Sequence, residues 1–125
     1  MTADGSSTAT LEAPAEAPAL SMTIFSKNDC HKCVATERLF ERKGVPFTEI
    51  NVEEDLAPRD EFGGLTPFEY VVEKYGREMP VVVIKSEDGW VTDWWSGGRM
   101  DKWTETVQNF EAENLIIPED ERVVR

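Results

Sequence analysis

The sequence holds two cysteines, Cys30 and Cys33, in the segment Cys30-His31-Lys32-Cys33. On a helix, residues at positions i and i+3 share one face, so these two thiols can close a disulfide with little backbone movement. A pair this close in sequence closes almost no loop, and its crosslink would add little to stability. The spacing therefore favours reversible redox chemistry over a structural crosslink.

The surroundings of the pair predict different roles for the two thiols. A short strand, a loop and a helix would place Cys30 at or near the helix N-terminus, where free backbone N–H groups and the helix dipole stabilise an anion. Residues 26–46 carry five basic and three acidic side chains, whereas residues 47–79 carry nine acidic and three basic ones. We predict that Cys30 has a lowered pKa and attacks a target disulfide, and that Cys33 resolves the mixed disulfide. Of the other residues nearby, Lys27 and Lys32 would strengthen the positive field.

Two other uses of the cysteines remain open at this point. A structural zinc ion commonly has four ligands, but the only histidine is His31, and the chain has no second Cys or His pair. We therefore predict no metal site. Two inert buried cysteines, or a protein that binds a metal or a partner through them without turnover, are the alternatives to redox work.

Composition limits the possible partners and location. The formal net charge is −12 over 125 residues, which argues against nucleic acid as a partner because its phosphates require basic side chains. No apolar run is long enough to span a bilayer, and the first twenty residues lack the basic and hydrophobic regions of a secretory signal. We therefore expect a cytoplasmic protein that does not bind membranes, and we expect it to be a monomer.

The chain divides into three parts. Residues 1–20 are rich in Ala, Thr, Ser, Pro and Glu, and we expect a disordered leader there because such a segment buries too little to offset its ordering entropy. Residues 21–113 are predicted to form one redox domain. Residues 114–125 are a charged tail, of which Leu115, Ile116, Ile117 and Pro118 could dock on the body.

Hydrophobic periodicity predicts an α/β fold with the element order β-α-β-α-β-β-α. The predicted strands lie at 22–25, 47–52, 81–84 and 90–95, and the predicted helices at 31–43, 67–75 and 100–110. In the first helix, Ala35, Leu39 and Phe40 form the expected apolar stripe. The early βαβ unit implies a parallel pair, and Asp88-Gly89 predicts a hairpin that adds an antiparallel edge. The result is a four-stranded mixed sheet flanked by helices.

Taken together, these segments resemble the glutaredoxin branch of the thioredoxin fold over residues 22–110. The resemblance is carried by Ser26-Lys27 before the Cys-x-x-Cys motif, Gly44-Val45-Pro46-Phe47, Met79-Pro80-Val81, and Trp95-Ser96-Gly97-Gly98-Arg99. The last segment, with Asp101, looks most like the Trp-Ser-Gly-Phe-Arg-Pro-Asp segment of NrdH-type redoxins. Gly98 replaces the Phe of that pattern, and Met100 replaces the Pro.

The resemblance implies a site around the two cysteines. Pro80 would follow a cis peptide bond and face the disulfide, while the preceding Met79 offers backbone groups to a bound chain. Partner or substrate contacts would come from the residues that match the family motifs: Lys27, Met79, Pro80, Val81, Trp95, Gly97, Gly98, Arg99 and Asp101. Of Trp94 and Trp95, we expect one to be buried and the other to lie near the dithiol.

The resemblance also implies two routes for the electrons. NrdH-type redoxins pass electrons from thioredoxin reductase to a ribonucleotide reductase and need no bound cofactor, since the Cys30–Cys33 dithiol itself would hold the electrons. Glutaredoxins use glutathione, which they bind through a Lys before the motif, the cis-proline region and a Gly-Gly turn followed by Asp. Lys27, Gly97-Gly98 and Asp101 keep that route open. The Trp-Ser-Gly-x-Arg segment favours the NrdH-like route.

Overall fold

The computed structural model describes residues 18–122, in which four strands form one sheet between helices. In chain order the elements are β1 (Leu20–Ser26), α1 (His31–Lys43), β2 (Thr48–Asn51), α2 (Pro67–Lys74), β3 (Val81–Ser86), β4 (Val91–Ser96) and α3 (Met100–Ala112). Short 3-10 helices lie at Asp60–Phe62 and Glu119–Glu121. The predicted order β-α-β-α-β-β-α is confirmed.

The sheet has the strand order β2-β1-β3-β4 and is mixed, as predicted. Strand β1 pairs in parallel with β2, with Phe25 opposite Ile50, because α1 carries the chain back across the sheet. Strand β3 runs antiparallel to both β1 and β4. The β3–β4 hairpin turns at Asp88-Gly89, where the N–H of Gly89 donates to the carbonyl of Ser86.

The core consists of two clusters on opposite faces of the sheet. Along β1, Ile24 belongs to the cluster under α1 and α3, whereas Phe25 belongs to the cluster under α2. The same alternation along β3 assigns Val82 and Val83 to different clusters, since successive side chains of a strand point to opposite faces. Strand β3 is therefore buried on both faces.

Helix α1 packs Phe40 and the partly buried Leu39 on the core, as the predicted stripe required, but not Ala35. Ala35 is exposed, and the buried residues are Cys33, Thr36, Glu37 and Phe40. These four share one face at i, i+3, i+4 and i+7, so turning Cys33 and Phe40 toward the sheet also buries the two polar residues between them. The Thr36 hydroxyl donates to the carbonyl of Lys32 at 2.7 Å. The predicted stripe was wrong at Ala35, because it counted only apolar residues and left out the buried Thr36 and Glu37.

The acidic segment before α2 contributes to the core. Phe62, in the 3-10 helix at Asp60–Phe62, is 8% exposed and stacks on the ring of Tyr70 with 4.2 Å between centroids. Arg59 pairs with Asp55 and holds this segment in a turn. The segment before α2 therefore adds Phe62 to the cluster under α2.

The C-terminal segment docks on the body through both apolar and polar contacts. Leu115 and Ile116 pack against the cluster under α1 and α3. The N–H of Ile117 donates to the carbonyl of Gly44 at 2.8 Å, and Arg122 donates to the carbonyls of Ile117 and Arg42. The expected docking of the apolar tail residues is confirmed. At the other end, β1 begins at Leu20, the last residue assigned to the predicted leader; residues 1–17 and 123–125 lie outside the described residues.

Candidate redox site

Cys30 and Cys33 are joined by a disulfide at the start of α1, with their Cα atoms 5.2 Å apart. Cys30 is the N-cap residue, and its Sγ accepts a hydrogen bond from the backbone N–H of Cys33 at 3.1 Å. The first turn of α1 contains no acidic side chain. The free N–H groups and the dipole of α1 therefore favour negative charge on the Cys30 sulfur.

The two cysteines differ in their access to solvent. Cys33 is 2% exposed and lies in the cluster under α2, whereas Cys30 is only partly buried and packs against the edge of that cluster. His31 and Lys32, between them, are exposed. An incoming disulfide can reach the Cys30 sulfur far more easily than that of Cys33.

The loop before Cys30 is held by a small polar network. The N–H of Asn28 donates to Glu53 Oε1 at 3.0 Å, and Asn51 Nδ2 donates to Asn28 Oδ1 at 3.1 Å. The N–H of Glu53 in turn donates to Asn51 Oδ1 at 2.9 Å. Glu53 and Asn51 therefore hold the loop before the motif against the end of β2.

The segment before β3 faces the disulfide. The Met79–Pro80 peptide bond is cis, as the resemblance implied. The carbonyl oxygen of Met79 lies 3.9 Å from the Cys30 sulfur. Met79 and Cys33 also belong to the same buried cluster. The structure thus brings together four residues that lie in two distant parts of the sequence: Cys30, Cys33, Met79 and Pro80.

The turn between β4 and α3 borders the same site. The N–H of Gly97 donates to the carbonyl of Pro80 at 2.9 Å. Gly98 lies beside α1, since a Cβ added there would be 3.8 Å from Cγ of Lys32. Arg99 donates two hydrogen bonds to Asp101, at 3.1 and 2.9 Å, which hold the pKa of that carboxyl below its ordinary value.

Two predicted contact residues have side chains that pack in the core. Trp95 is 2% exposed in the cluster under α1 and α3, and its contact with a partner stays a prediction. Val81 is 0% exposed and is paired on both sides, with Phe25 and Ser96, so it is also a core residue. Lys27 is exposed in the loop before the motif.

One charged residue beside the site was not predicted. Glu78 accepts a hydrogen bond from Lys32 Nζ at 3.2 Å, and its carboxylate lies against Gly97, where an added Cβ would be 2.6 Å from Oε2. The sequence alone could have indicated this position, because Glu78 lies two residues before Pro80 and therefore near the expected cis-proline segment.

Across residues 18–122, no group of three or more His, Cys, Asp or Glu side chains is placed to hold a metal ion. Within the same range, no helix is both long and apolar enough to cross a membrane.

A disulfide at a helix N-terminus, facing a cis-proline on a mixed sheet of this order, defines a protein of the thioredoxin fold with a Cys-x-x-Cys disulfide. The family model for glutaredoxin matches residues 22–88. The chain belongs to the glutaredoxin family.

Among curated proteins, the chain is similar to glutaredoxin-like proteins named NrdH. It is 44% identical over 39 residues to the protein of Salmonella typhimurium, and 47% identical over 32 residues to that of Escherichia coli K12. These alignments cover 31% and 26% of this chain, and 46% and 40% of the relatives. The chain therefore spans less than half the length of the curated relatives it matches.

Solved structures extend the likeness over more of the chain. The NrdH-redoxin of Escherichia coli, described as glutaredoxin-like with a thioredoxin-like activity profile, aligns with a TM-score of 0.50 and 30% identity, covering 68% of this chain and 92% of that one. Thioredoxin f from spinach chloroplast aligns with a TM-score of 0.55 and 16% identity, covering 77% and 80% of the two chains. At that identity the second comparison supports the fold alone.

Proposed function

We propose that this protein is a dithiol electron carrier that is reduced by a thioredoxin reductase and delivers its electrons to a ribonucleotide reductase. The observation that carries the redox step is the hydrogen bond from the N–H of Cys33 to the Sγ of Cys30 at the N-cap of α1. The likeness to NrdH proteins supports the choice of donor and recipient. The thioredoxin-like activity profile belongs to the Escherichia coli relative and supports a reductase as donor here.

The proposed reaction is two successive thiol-disulfide exchanges. The Cys30 thiolate attacks one sulfur of the target disulfide, forms a mixed disulfide and releases the other target sulfur as a thiolate. The Cys33 thiolate then attacks the Cys30 sulfur, releases the second target thiolate and closes the Cys30–Cys33 disulfide. Two electrons pass to the target, whose thiolates take up protons from water. The reductase reverses these steps and restores the dithiol.

The geometry supports the assignment of these roles. The Cys30 sulfur is the more accessible one, and the helix terminus favours its thiolate. A chain bound along Met79 would place its sulfur near Cys30, because the Met79 carbonyl lies 3.9 Å from that Sγ. The side chains of Met79 and Pro80 are buried, so they can meet a target only through their backbone. We propose that this backbone, together with the turn at Gly97 and the exposed Gly98, forms the surface that receives the target. The dithiol needs no bound cofactor, and its role would belong in the cytoplasm, where thiols are kept reduced.

A glutathione-coupled glutaredoxin is the second candidate. It is favoured by the exposed Lys27 before the motif and by the Gly97-Gly98 turn beside the dithiol. Against it stands Asp101, whose carboxylate is already paired with Arg99. The two candidates share the chemistry of Cys30 and Cys33 and differ in the reductant.

Two coupled assays decide between the candidates. We expect the protein to support oxidation of NADPH in the presence of thioredoxin reductase and a disulfide substrate. In the parallel assay with glutathione and glutathione reductase, we expect much slower turnover. Robust turnover with glutathione and none with thioredoxin reductase would contradict the proposal.

Single substitutions test the roles of the cysteines. Cys30→Ser should abolish turnover because it removes the attacking sulfur, while Cys33→Ser should leave a stable mixed disulfide with the target. The measurement is mass spectrometry of the trapped adduct under non-reducing conditions. Ala35→Ser, at an exposed position of the same helix, is the control and should keep wild-type turnover. Trapping through Cys33 in the Cys30→Ser variant would reverse the assignment. Stoichiometric zinc in the freshly reduced protein would instead favour the metal-binding alternative.

A further inference from the structure

The carboxylate of Glu78 lies at the edge of the proposed target-binding surface. Its Oε2 is held by Lys32 Nζ at 3.2 Å and lies against Gly97, where an added Cβ would be only 2.6 Å away. Gly97 has φ +79, a conformation that favours glycine, and its N–H donates to the carbonyl of Pro80. A glycine at this position thus leaves room for the acidic group beside the cis-proline segment.

Few charges compete for this carboxylate. Among the ion pairs of residues 18–122, Lys32 is the one cation within 4.0 Å of Glu78. The nearby Arg99 is paired with Asp101, and Lys102 is paired with Asp93. The side chains of Lys32 and Glu78 are 60% and 58% exposed. Such an exposed pair is weak, so the carboxylate can exchange Lys32 for another cation.

A bound target chain would run past Glu78. The carbonyl of Met79 is 3.9 Å from the Cys30 sulfur, and Glu78 is the next residue toward the N-terminus. Neighbouring Cα atoms of an extended chain are about 3.8 Å apart. A residue one or two positions from the target cysteine therefore comes within reach of the Glu78 carboxylate.

We propose that Glu78 determines specificity at this site: it selects target disulfides that have a Lys or Arg beside the cysteine and disfavours anionic ones. The inference rests on the proposed function, since it assumes that Cys30 attacks a target bound along Met79. Exposed ion pairs change an equilibrium by about two- to fivefold. Attraction to a basic neighbour together with repulsion of an acidic one would give a preference of about tenfold.

Three matched peptide disulfides test the proposal. Each is the symmetric disulfide of a short blocked peptide whose single cysteine is flanked by Lys, Ala or Glu. The measurement is the second-order rate of their reduction by the pre-reduced full chain at low ionic strength. Wild type should reduce the Lys peptide about tenfold faster than the Glu peptide, and added salt should shrink the ratio because it screens exposed charges.

The variants separate the role of Glu78 from general charge effects. Glu78→Gln should lower the Lys-to-Glu preference to about twofold, a ratio in which any change common to all three peptides cancels. Lys32→Gln should raise the preference, since it frees the carboxylate. Glu73→Gln removes the same charge from an exposed position on α2 and should keep the wild-type ratio.

Two negative results are distinguishable. If Glu78→Gln keeps the wild-type Lys-to-Glu preference, the role of Glu78 is overturned while the redox function stands. If wild type reduces none of the three peptides, the proposed function fails, and the role of Glu78 fails with it.

Discussion

Cys30 and Cys33 are identical in type, yet their surroundings give them different chemistry. Cys30 is the N-cap residue of α1 and is partly accessible, whereas Cys33, in the first turn of α1, is 2% exposed. The predicted order of strand, loop and helix around the motif placed Cys30 at the N-terminus of a helix. The first backbone N–H groups of a helix have no partner within the helix, so they are free to stabilise the Cys30 sulfur. Burial of Cys33 followed from the same geometry, one turn further into the core.

Tyr75 provides a test at the residue scale. Its ring packs on Trp94 with 4.9 Å between centroids, and burial, with a smaller effect from Tyr70, raises the pKa of its phenol to about 12. In the unfolded chain the pKa of this phenol would be about 10. Between these values the unfolded state loses a proton that the folded state keeps, so stability should fall as the pH rises from about 10 toward 12.

The measurement for Tyr75 is an absorbance titration of the phenolates, combined with urea unfolding at increasing pH. In the Tyr75→Phe variant, the highest phenolate transition should be missing and the loss of stability over this pH interval should be smaller. A Tyr75 that ionises at its ordinary pKa would show that the ring is more solvated than its packing indicates.

At the scale of elements, buried polar residues help to determine which face of a helix packs on the core, and an apolar pattern leaves them out. Helix α1 buries Thr36 and Glu37 because they lie between Cys33 and Phe40 on one face. A stripe drawn only through apolar residues therefore identified Leu39 and Phe40 but wrongly included the exposed Ala35. The end of α1 depends on local chemistry: Gly44 follows Lys43 with φ +77, and the predicted end of the helix at residue 43 is confirmed.

Helix α2 begins with a capping box that can be tested directly. The Thr66 hydroxyl accepts from the N–H of Glu69 at 3.2 Å, and Glu69 Oε1 accepts from the N–H of Thr66 at 3.0 Å. Thr66→Ala should lower the free energy of unfolding by about 1 kcal/mol, because it leaves a helix N–H without this acceptor. Thr66→Ser keeps the hydroxyl and should stay near wild type. Urea denaturation measures both, and equal losses in the two variants would contradict the role of the cap.

At the scale of the whole molecule, the C-terminal segment closes over the end of α1. Gly44 accepts from the N–H of Ile117 and leaves no space for a side chain, since an added Cβ would lie 2.6 Å from the Ile117 carbonyl. That contact joins the segment to the body at a point 73 positions away in sequence (Gly44 to Ile117). The tail is therefore part of the folded domain at least as far as Arg122.

Gly44→Ala should destabilise the protein and release this segment. The left-handed conformation costs about 1–2 kcal/mol for a residue with a Cβ, and the clash with Ile117 adds to it. Gly76→Ala is the matched control, because Gly76 also has positive φ but has nothing within 4 Å of an added Cβ. Hydrogen exchange at the Ile117 amide should accelerate in Gly44→Ala beyond the general loss of stability, and not in Gly76→Ala. Equal protection in both variants would show that the tail does not depend on Gly44.

The sequence by itself determined the features whose cause is local. The motif spacing placed Cys30 and Cys33 on one helix face, and turn and cap residues such as Gly44 delimited the elements. The βαβ order led to a mixed sheet, and the resemblance placed a cis bond at Pro80. Each of these features depends on residues a few positions apart in sequence, or on a family motif recognised as a whole.

Only the tertiary structure decided the features that depend on packing between distant elements. Alternation along β4 already required Trp94 and Trp95 to point to opposite faces. Which of them is buried depended on the helices: α1 and α3 cover Trp95 to 2% exposure, while Trp94 keeps 42% on the other face. In the same way, Glu78 lies beside Gly97 only because β3 and β4 pair next to the dithiol. Such contacts arise from the register of the sheet and the placement of its helices. A local sequence pattern determines neither, because both depend on packing between segments that are distant in the chain.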